Sequence, residues 1–194
     1  IMGTIGASFY LLGVGYLYIK TGSLNMYDIQ EQIVANNLHG SPSIFVAFVV
    51  IMVGLWIKMA FFPLHSWLPN SYTYGPSTTS ALLGPLVTKV MIYVMIRMIL
   101  SVFSPEFAFD QLDWSNIIVW MSVIAILAAS ISALAQASLQ KILAFLIIAE
   151  VGYMVGGVWL ADEMGMVGSI YHIIADAFMT LCVFLFAGII FAKT

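Results

Sequence analysis

Six predominantly apolar runs, each about 20 residues or longer, occupy most of this 194-residue chain. A helix needs about 20 consecutive apolar residues to cross a bilayer, which is longer than the core of a soluble protein normally requires. Only 8% of the residues are charged, which leaves too little polar surface for a soluble globule. The sequence therefore predicts an all-α, polytopic membrane protein with six transmembrane helices in one membrane domain, covering residues 1–19, 41–62, 78–103, 114–135, 139–160 and 164–192.

The connections between these runs are short and polar, and the longest covers residues 20–40. Within it, Met26, Ile29, Ile33 and Val34 recur at helical spacing, so residues 24–36 are predicted to form an amphipathic helix at the membrane interface. The chain begins and ends inside or directly after apolar runs. We therefore expect it to be a fragment whose membrane domain continues beyond both ends.

Composition argues against several classes of function. The formal net charge of -3 is spread over short connections and provides no basic surface for a nucleic acid. The single cysteine, Cys182, lies in an apolar run and cannot support a disulfide framework or a four-cysteine zinc site. The sequence also lacks paired haem histidines, a cysteine cluster and a nucleotide-binding loop, so no cofactor is expected in this chain.

Ionisable side chains within the apolar runs are the strongest functional signal. Each costs roughly 2.5–3.5 kcal/mol near the centre of a span on insertion scales, so each is a functional candidate by default. Lys89 lies roughly eleven residues from the nearer end of its run, too deep to reach the headgroups easily. Lys58 could reach an interface if its helix ended at Pro63, and Arg97 is close enough to a helix end to serve as an anchor.

Three further candidates lie in the last two runs. Glu150 is near the centre of the fifth run, where it is either functional or neutral and hydrogen-bonded. His172 and Asp176 are one helical turn apart in the sixth, and Thr180 continues the same face. A lone interior histidine is usually structural, but a histidine beside a carboxylate can exchange protons.

Proline residues are predicted to interrupt two of the helices. Pro63 lies in the proline-rich segment FFPLHSWLPNSYTYGP, residues 61–76, and Pro85 lies four residues before Lys89. Proline lacks an N–H and clashes with the carbonyl four residues earlier, so both positions predict a helix end or break. Discontinuous helices commonly mark ion sites in transporters. The predicted breaks therefore favour a functional role for the two nearby lysines, Lys58 and Lys89.

The run KMAFFPLHSWLPNSYTYGPSTTSALLGPLVTKVMIYVMIR, residues 58–97, resembles the core signature of the proton-conducting antiporter-like membrane subunits. This family occurs in respiratory complex I, membrane-bound hydrogenases and Mrp-type sodium/proton antiporters. WLPNSY, SALLG, LVTKV, TGSLNM and ALAQASLQKILAF are most similar to the D-type member of the Mrp antiporters. The resemblance covers essentially the whole chain and implies the middle of a fold with about fourteen helices, several of them broken.

The resemblance also implies roles for individual residues. Lys58 matches the lysine of the family's broken seventh helix, His65 the histidine in the following connection, and Lys89 the lysine of the eighth helix. His172 matches the first member of a His, His, Lys series in the eleventh helix. Asp176 and Thr180 replace its other two members, and Glu150 stands where a neutral polar residue or a histidine is expected.

The expected function is proton or sodium/proton translocation by a relay of Lys58, His65, Lys89, Glu150, His172 and Asp176, in a subunit embedded in lipid with other membrane subunits. The resemblance leaves open whether the complex is an Mrp antiporter, complex I or a hydrogenase, and whether it is a redox enzyme. It implies a bacterial or archaeal cytoplasmic membrane. The alternative is a structural membrane anchor in which the charges pair statically, and the departures at Asp176 and Thr180 are its best support.

Overall fold

Helices make up nearly the whole chain in the computed structural model, which describes residues 1–193 and, except at residues 77–78 and 191–193, their side chains. Six helices in this part of the chain are long and apolar enough to cross a membrane, which confirms the predicted all-α membrane fold. The α-helices are α1 Met2–Thr21, α2 Met26–Ala35, α3 Pro42–Met59, α4 Trp67–Tyr74, α5 Ser77–Met98, α6 Ser115–Leu134, α7 Leu139–Trp159 and α8 Glu163–Lys193.

The two predicted proline interruptions have different outcomes. α3 ends at Met59, before Pro63, and Ala60 adopts a left-handed backbone conformation with φ 58° as the chain turns. The predicted break at Pro85 is wrong, because α5 runs through Pro85 without interruption. A proline costs the helix one hydrogen bond, but neighbouring helices in a membrane protein can hold the remaining turns in place.

The first of two compact units contains Ile1–Lys58 and Val94–Trp114. Within it, α1 and α3 approach backbone to backbone, since a Cβ added to Gly54 would lie 2.7 Å from the carbonyl oxygen of Gly6. The same unit contains an aromatic cluster, in which the ring of Phe48 lies edge-on to Phe103 at 5.1 Å and to Phe107 at 5.6 Å. α2 packs against the π-helical turn Ile99–Phe103 with Ile29 and Ile33 buried.

The second unit contains Met59–Tyr93 and the chain from Ser115 onwards, and α7 is its most buried spanning helix. Glycines bring α7 close to both of its long neighbours. A Cβ on Gly152 would lie 3.2 Å from the carbonyl oxygen of Ser122 on α6, and a Cβ on Gly165 of α8 would lie 2.6 Å from that of Gly157. Backbone contact of this kind is typical of membrane helices, where small residues permit close packing.

The short helix α4 is tied to the start of α5. The hydroxyl of Tyr72 donates a 3.3 Å hydrogen bond to the carbonyl oxygen of Leu83, and its ring lies edge-on to Phe184 of α8 at 6.3 Å. Tyr72 lies between two candidate spans, and burial raises its pKa to about 12, so the hydroxyl stays protonated and can donate. This contact fixes the first half of α5 against α8.

Candidate functional site

Lys89 occupies the middle of α5 with only 3% of its side chain exposed. One turn and a half earlier, Gly84 lets α5 approach its neighbours, since a Cβ there would lie 3.5 Å from Phe184 of α8 and 3.6 Å from Ile147 of α7. The ammonium of Lys89 consequently reaches side chains of both helices. Removing a lone ammonium from water costs several kcal/mol, so its partners determine whether the arrangement is stable.

Two carboxylates surround this ammonium. The Nζ of Lys89 lies 2.7 Å from Oδ2 of Asp176 on α8 and 3.3 Å from Oε2 of Glu150 on α7. The contact to Asp176 is a close ion pair whose angles do not make an aligned hydrogen bond, whereas Lys89 donates a hydrogen bond to Glu150. Three helices thus contribute one charged side chain each to a single point inside the second unit.

Thr180 completes the arrangement, one turn after Asp176 on the same face of α8. Its hydroxyl oxygen lies 3.1 Å from Oδ1 of Asp176, 3.4 Å from Oε2 of Glu150 and 3.5 Å from Nζ of Lys89. A hydroxyl has one proton to donate, so it can donate to only one carboxylate at a time. We call Lys89, Glu150, Asp176 and Thr180 the Lys89 cluster.

His172 lies one turn before Asp176 on α8, but the structure gives no hydrogen bond or ion pair from it to the Lys89 cluster among the described residues. Its ring lies edge-on to Tyr153 of α7 at 6.2 Å, and its Nε2 is buried with no hydrogen-bond partner. Both rings line a cavity of about 490 Å³ between α7 and α8. His172 is therefore placed beside a cavity rather than in the cluster.

His65 lies in the turn between α3 and α4, where its ring stacks on Phe62 with the centroids 5.3 Å apart. Burial lowers the pKa of His65 below its ordinary value of 6.5, and the backbone of Pro63 partly opposes this shift. The imidazole is consequently neutral at pH 7. A neutral imidazole can both accept and donate a proton, as a relay requires.

Lys58 lies in the first unit, in the last turn of α3. Gly6 of α1 makes room for its stem, since a Cβ on Gly6 would lie 2.7 Å from Cγ of Lys58. Lys58 is half-buried. The path of its side chain thus depends on the absence of a side chain at Gly6.

Sequence reasoning placed Thr180 on the face of Asp176 but did not include it among the relay residues. The spacing of four residues was the available signal. No local sequence pattern predicts the contact between Lys89 and Glu150, because the two residues are 61 positions apart and lie on different helices. Among the described residues, no group of three or more histidine, cysteine, aspartate or glutamate side chains is placed to hold a metal ion.

The sequence of this chain is similar to those of membrane proteins from other organisms. The chain is 40% identical over 188 residues to an NADH-quinone oxidoreductase subunit of Desulforudis audaxviator, covering 97% of this chain and 37% of that protein. It is 30% identical over 194 residues to a Na(+)/H(+) antiporter subunit of Bacillus subtilis, covering 100% of this chain and 38% of that protein. The chain therefore spans little more than a third of the length of these relatives.

Solved structures share the fold. A chain of the Mrp complex from Dietzia sp. DQ12-45-1b matches with a TM-score of 0.83 at 24% identity, over 96% of this chain and 33% of that one. A chain of the membrane-bound sulfane sulfur reductase, an archaeal respiratory membrane complex, matches with a TM-score of 0.82 at 25% identity, over 95% and 37%. The family model described as NADH:quinone oxidoreductase/Mrp antiporter, transmembrane, matches residues 1–194, and this confirms the predicted family: the chain belongs to the NADH:quinone oxidoreductase/Mrp antiporter transmembrane family.

Proposed function

We propose that the protein to which this chain belongs moves protons, or exchanges sodium for protons, across a bacterial or archaeal cytoplasmic membrane. It does so as an antiporter-like component of a multisubunit membrane complex. The observation that carries the proposal is the position of Lys89, buried in mid-helix between Glu150 and Asp176. Family membership and the names of the relatives, one from a quinone oxidoreductase and one from a sodium/proton antiporter, support the same class of transport.

The proposed mechanism uses the charge of Lys89 as a switch. Desolvation favours the neutral amine, while a nearby carboxylate favours the ammonium. A change in the charge of Glu150 or Asp176 therefore alters the tendency of Lys89 to hold its proton, so the gain or loss of a proton at one of the three groups affects the other two. Such a set can take up a proton from one side and release it to the other.

Lys58, His65 and His172 are the other proposed relay residues. In this proposal, protons pass from Lys58 through His65 and water to Lys89. His172, beside the cavity between α7 and α8, accepts protons on the other side. Oxidation or reduction of a substrate, where the complex performs it, belongs to partner subunits.

The test is to replace Lys89 by Met in the intact complex and to measure proton uptake in reconstituted vesicles. Transport is expected to fall by about 100-fold or more, because positioned proton-transfer groups commonly contribute at least this much. Lys20→Met is the matched control, since Lys20 is exposed in the last turn of α1. Unchanged transport in the Lys89 variant would refute the proposal.

A structural anchor is the second candidate function, and the close Lys89–Asp176 ion pair favours it. A buried pair of this kind can hold helices together without moving protons. The two functions predict different defects. An anchor variant fails to assemble with its partner subunits, whereas a transport variant assembles and does not pump.

A further inference from the structure

The formal charges of the Lys89 cluster do not balance. One ammonium faces two carboxylates, so the cluster carries a net charge of -1 if all three groups are ionised. Of the helices that pack on α7, α6 carries no ionisable side chain and α4 carries only tyrosines. On the described part of α8, His172 lies one turn from Asp176 and outside the cluster, and the other titratable side chains, Glu163, Tyr171 and Cys182, are exposed. A buried excess charge is costly, and one added proton removes it.

The geometry distinguishes the two carboxyl groups. Asp176 is 1% exposed, lies 2.7 Å from the ammonium and lies nearest the Thr180 hydroxyl. Glu150 is 27% exposed and lies 3.3 Å from the same ammonium. Deep burial disfavours the ionised form of Asp176, but the close ammonium and the close hydroxyl stabilise that form more than they do at Glu150. Glu150, with the weaker ion pair and the more open surroundings, is the better position for a proton that exchanges.

Thr180 connects the two groups. Its hydroxyl oxygen lies within hydrogen-bonding distance of both carboxyls, at 3.1 Å and 3.4 Å. It can therefore accept a proton from Glu150 while it donates its own to Asp176. A valine at this position has nearly the same shape but can do neither.

We propose that the Lys89 cluster holds one exchangeable proton, carried by Glu150 while Lys89 pairs with Asp176, and that the Thr180 hydroxyl passes it between the two carboxyls. In the transfer, the O–H bond of Glu150 breaks as a new O–H bond forms on Thr180. The original O–H bond of Thr180 breaks at the same time, and its proton forms an O–H bond on Asp176. Lys89 keeps its charge and exchanges Asp176 for Glu150 as its ionised partner.

This inference deepens the proposed function, on which it rests for the purpose of the transfer, but the location of the proton can be measured without transport. The first experiment is infrared spectroscopy of the full-length protein in its membrane complex, comparing spectra in H2O and D2O. A buried protonated carboxyl group shows a C=O band that shifts in D2O. The band is expected to move when glutamate is labelled with ¹³C at its side-chain carboxyl, and to stay when aspartate is so labelled. It is also expected to be lost in Glu150→Gln.

The second experiment tests the hydroxyl. Thr180→Val is expected to shift the carboxyl band and to lower the transport rate about tenfold or more, the size of a lost hydrogen bond to a charged group. Thr180→Ser restores the hydroxyl and is expected to recover both. Thr88→Val is the matched control, because Thr88 is equally buried on α5, next to Lys89, and the structure gives its hydroxyl no hydrogen-bond partner.

The outcomes separate the two proposals. A band that follows the aspartate label, no protonated carboxyl band at all, or a Thr180→Val variant that behaves like wild type would each overturn the inference. A complex that transports no protons but shows the glutamate band and the Thr180 shift would overturn the proposed function alone. In that case the shared proton of the cluster would remain established.

Discussion

Lys89 and Asp176 form an ion pair of 2.7 Å between α5 and α8, with 3% and 1% of their side chains exposed. Little of either side chain is exposed, so each charge depends on its neighbours in the cluster for compensation. Removing one partner of a buried pair commonly costs about 3–5 kcal/mol, mostly because the other charge is left uncompensated. The pair therefore makes a specific prediction about combined substitutions.

Lys89→Met is expected to destabilise the protein by about 3–5 kcal/mol. Adding Asp176→Asn to this variant is expected to recover about 1 kcal/mol or more, since it removes the stranded carboxylate. Unfolding of the two single variants and the double variant in detergent measures the coupling. Additive effects of the two substitutions would show that the ion pair contributes no energy of its own.

The contact between α7 and α8 near Gly157 is expected to control the cluster from a distance. Gly157 lies seven residues after Glu150, and Ser169 lies seven residues before Asp176, two turns from the cluster on each helix. A Cβ on Gly157 would collide with the hydroxyl of Ser169, which donates a 3.0 Å hydrogen bond to the carbonyl of Met154. Gly157→Val is therefore expected to cost about 1–3 kcal/mol by overpacking and to reduce transport.

Gly168→Ala provides the control for this substitution, because a Cβ at Gly168 of α8 meets no atom within 4 Å. It is expected to leave transport intact and to stabilise α8 by about 0.5–1 kcal/mol, since alanine favours helices more than glycine. Equal losses in the two variants would mean that the helix contact does not position the cluster.

Gly6 is expected to matter for Lys58 in the same way. Gly6→Ala brings a methyl group within 2.7 Å of Cγ of Lys58 and 2.9 Å of the carbonyl oxygen of Gly54, so the lysine stem and the helix contact must both shift. Gly3→Ala, one turn earlier and in open space, is the control. Transport in vesicles should fall in the first variant only; a wild-type rate in both would show that Lys58 tolerates displacement.

His65 is expected to make stability depend on pH. Burial lowers the pKa of His65 in the folded protein below 6.5, so the unfolded chain binds a proton more readily than the folded one. The contribution of His65 to the free energy of unfolding must then decrease as the pH falls below 6.5, and it is constant from neutral pH upwards. Thermal unfolding of wild type and His65→Asn at several pH values checks this, because the asparagine variant should lose less stability in acid. Parallel pH profiles would exclude His65 as the cause.

Much of the fold could be predicted from local sequence. Six long apolar runs fix the number of spanning helices, and a lysine in the middle of one of them stands out against its surroundings. Pro63 also acts locally, since α3 ends before it. Pro85 does not end its helix. Whether a helix continues through a proline depends on the neighbouring helices that support it, and those helices come from other parts of the chain.

The sequence does not show which residues meet in the Lys89 cluster. The sequence identifies three separate charges in apolar surroundings, at Lys89, Glu150 and Asp176. Whether they contact one another depends on how α5, α7 and α8 pack. That packing is set partly by glycines such as Gly157 and Gly84, whose effect is to leave space. No periodicity in the sequence shows which helix fills such a space.

The backbone contacts of α7 restrict how the cluster can work. Gly152 touches the backbone of α6 and Gly157 that of α8, so α7 is held on two sides by atoms that cannot yield as side chains do. A rotation or sliding of α7 large enough to carry Glu150 away from Lys89 would break both contacts. These contacts favour a change of state that is carried by protons and by small side-chain movements while α7 keeps its position.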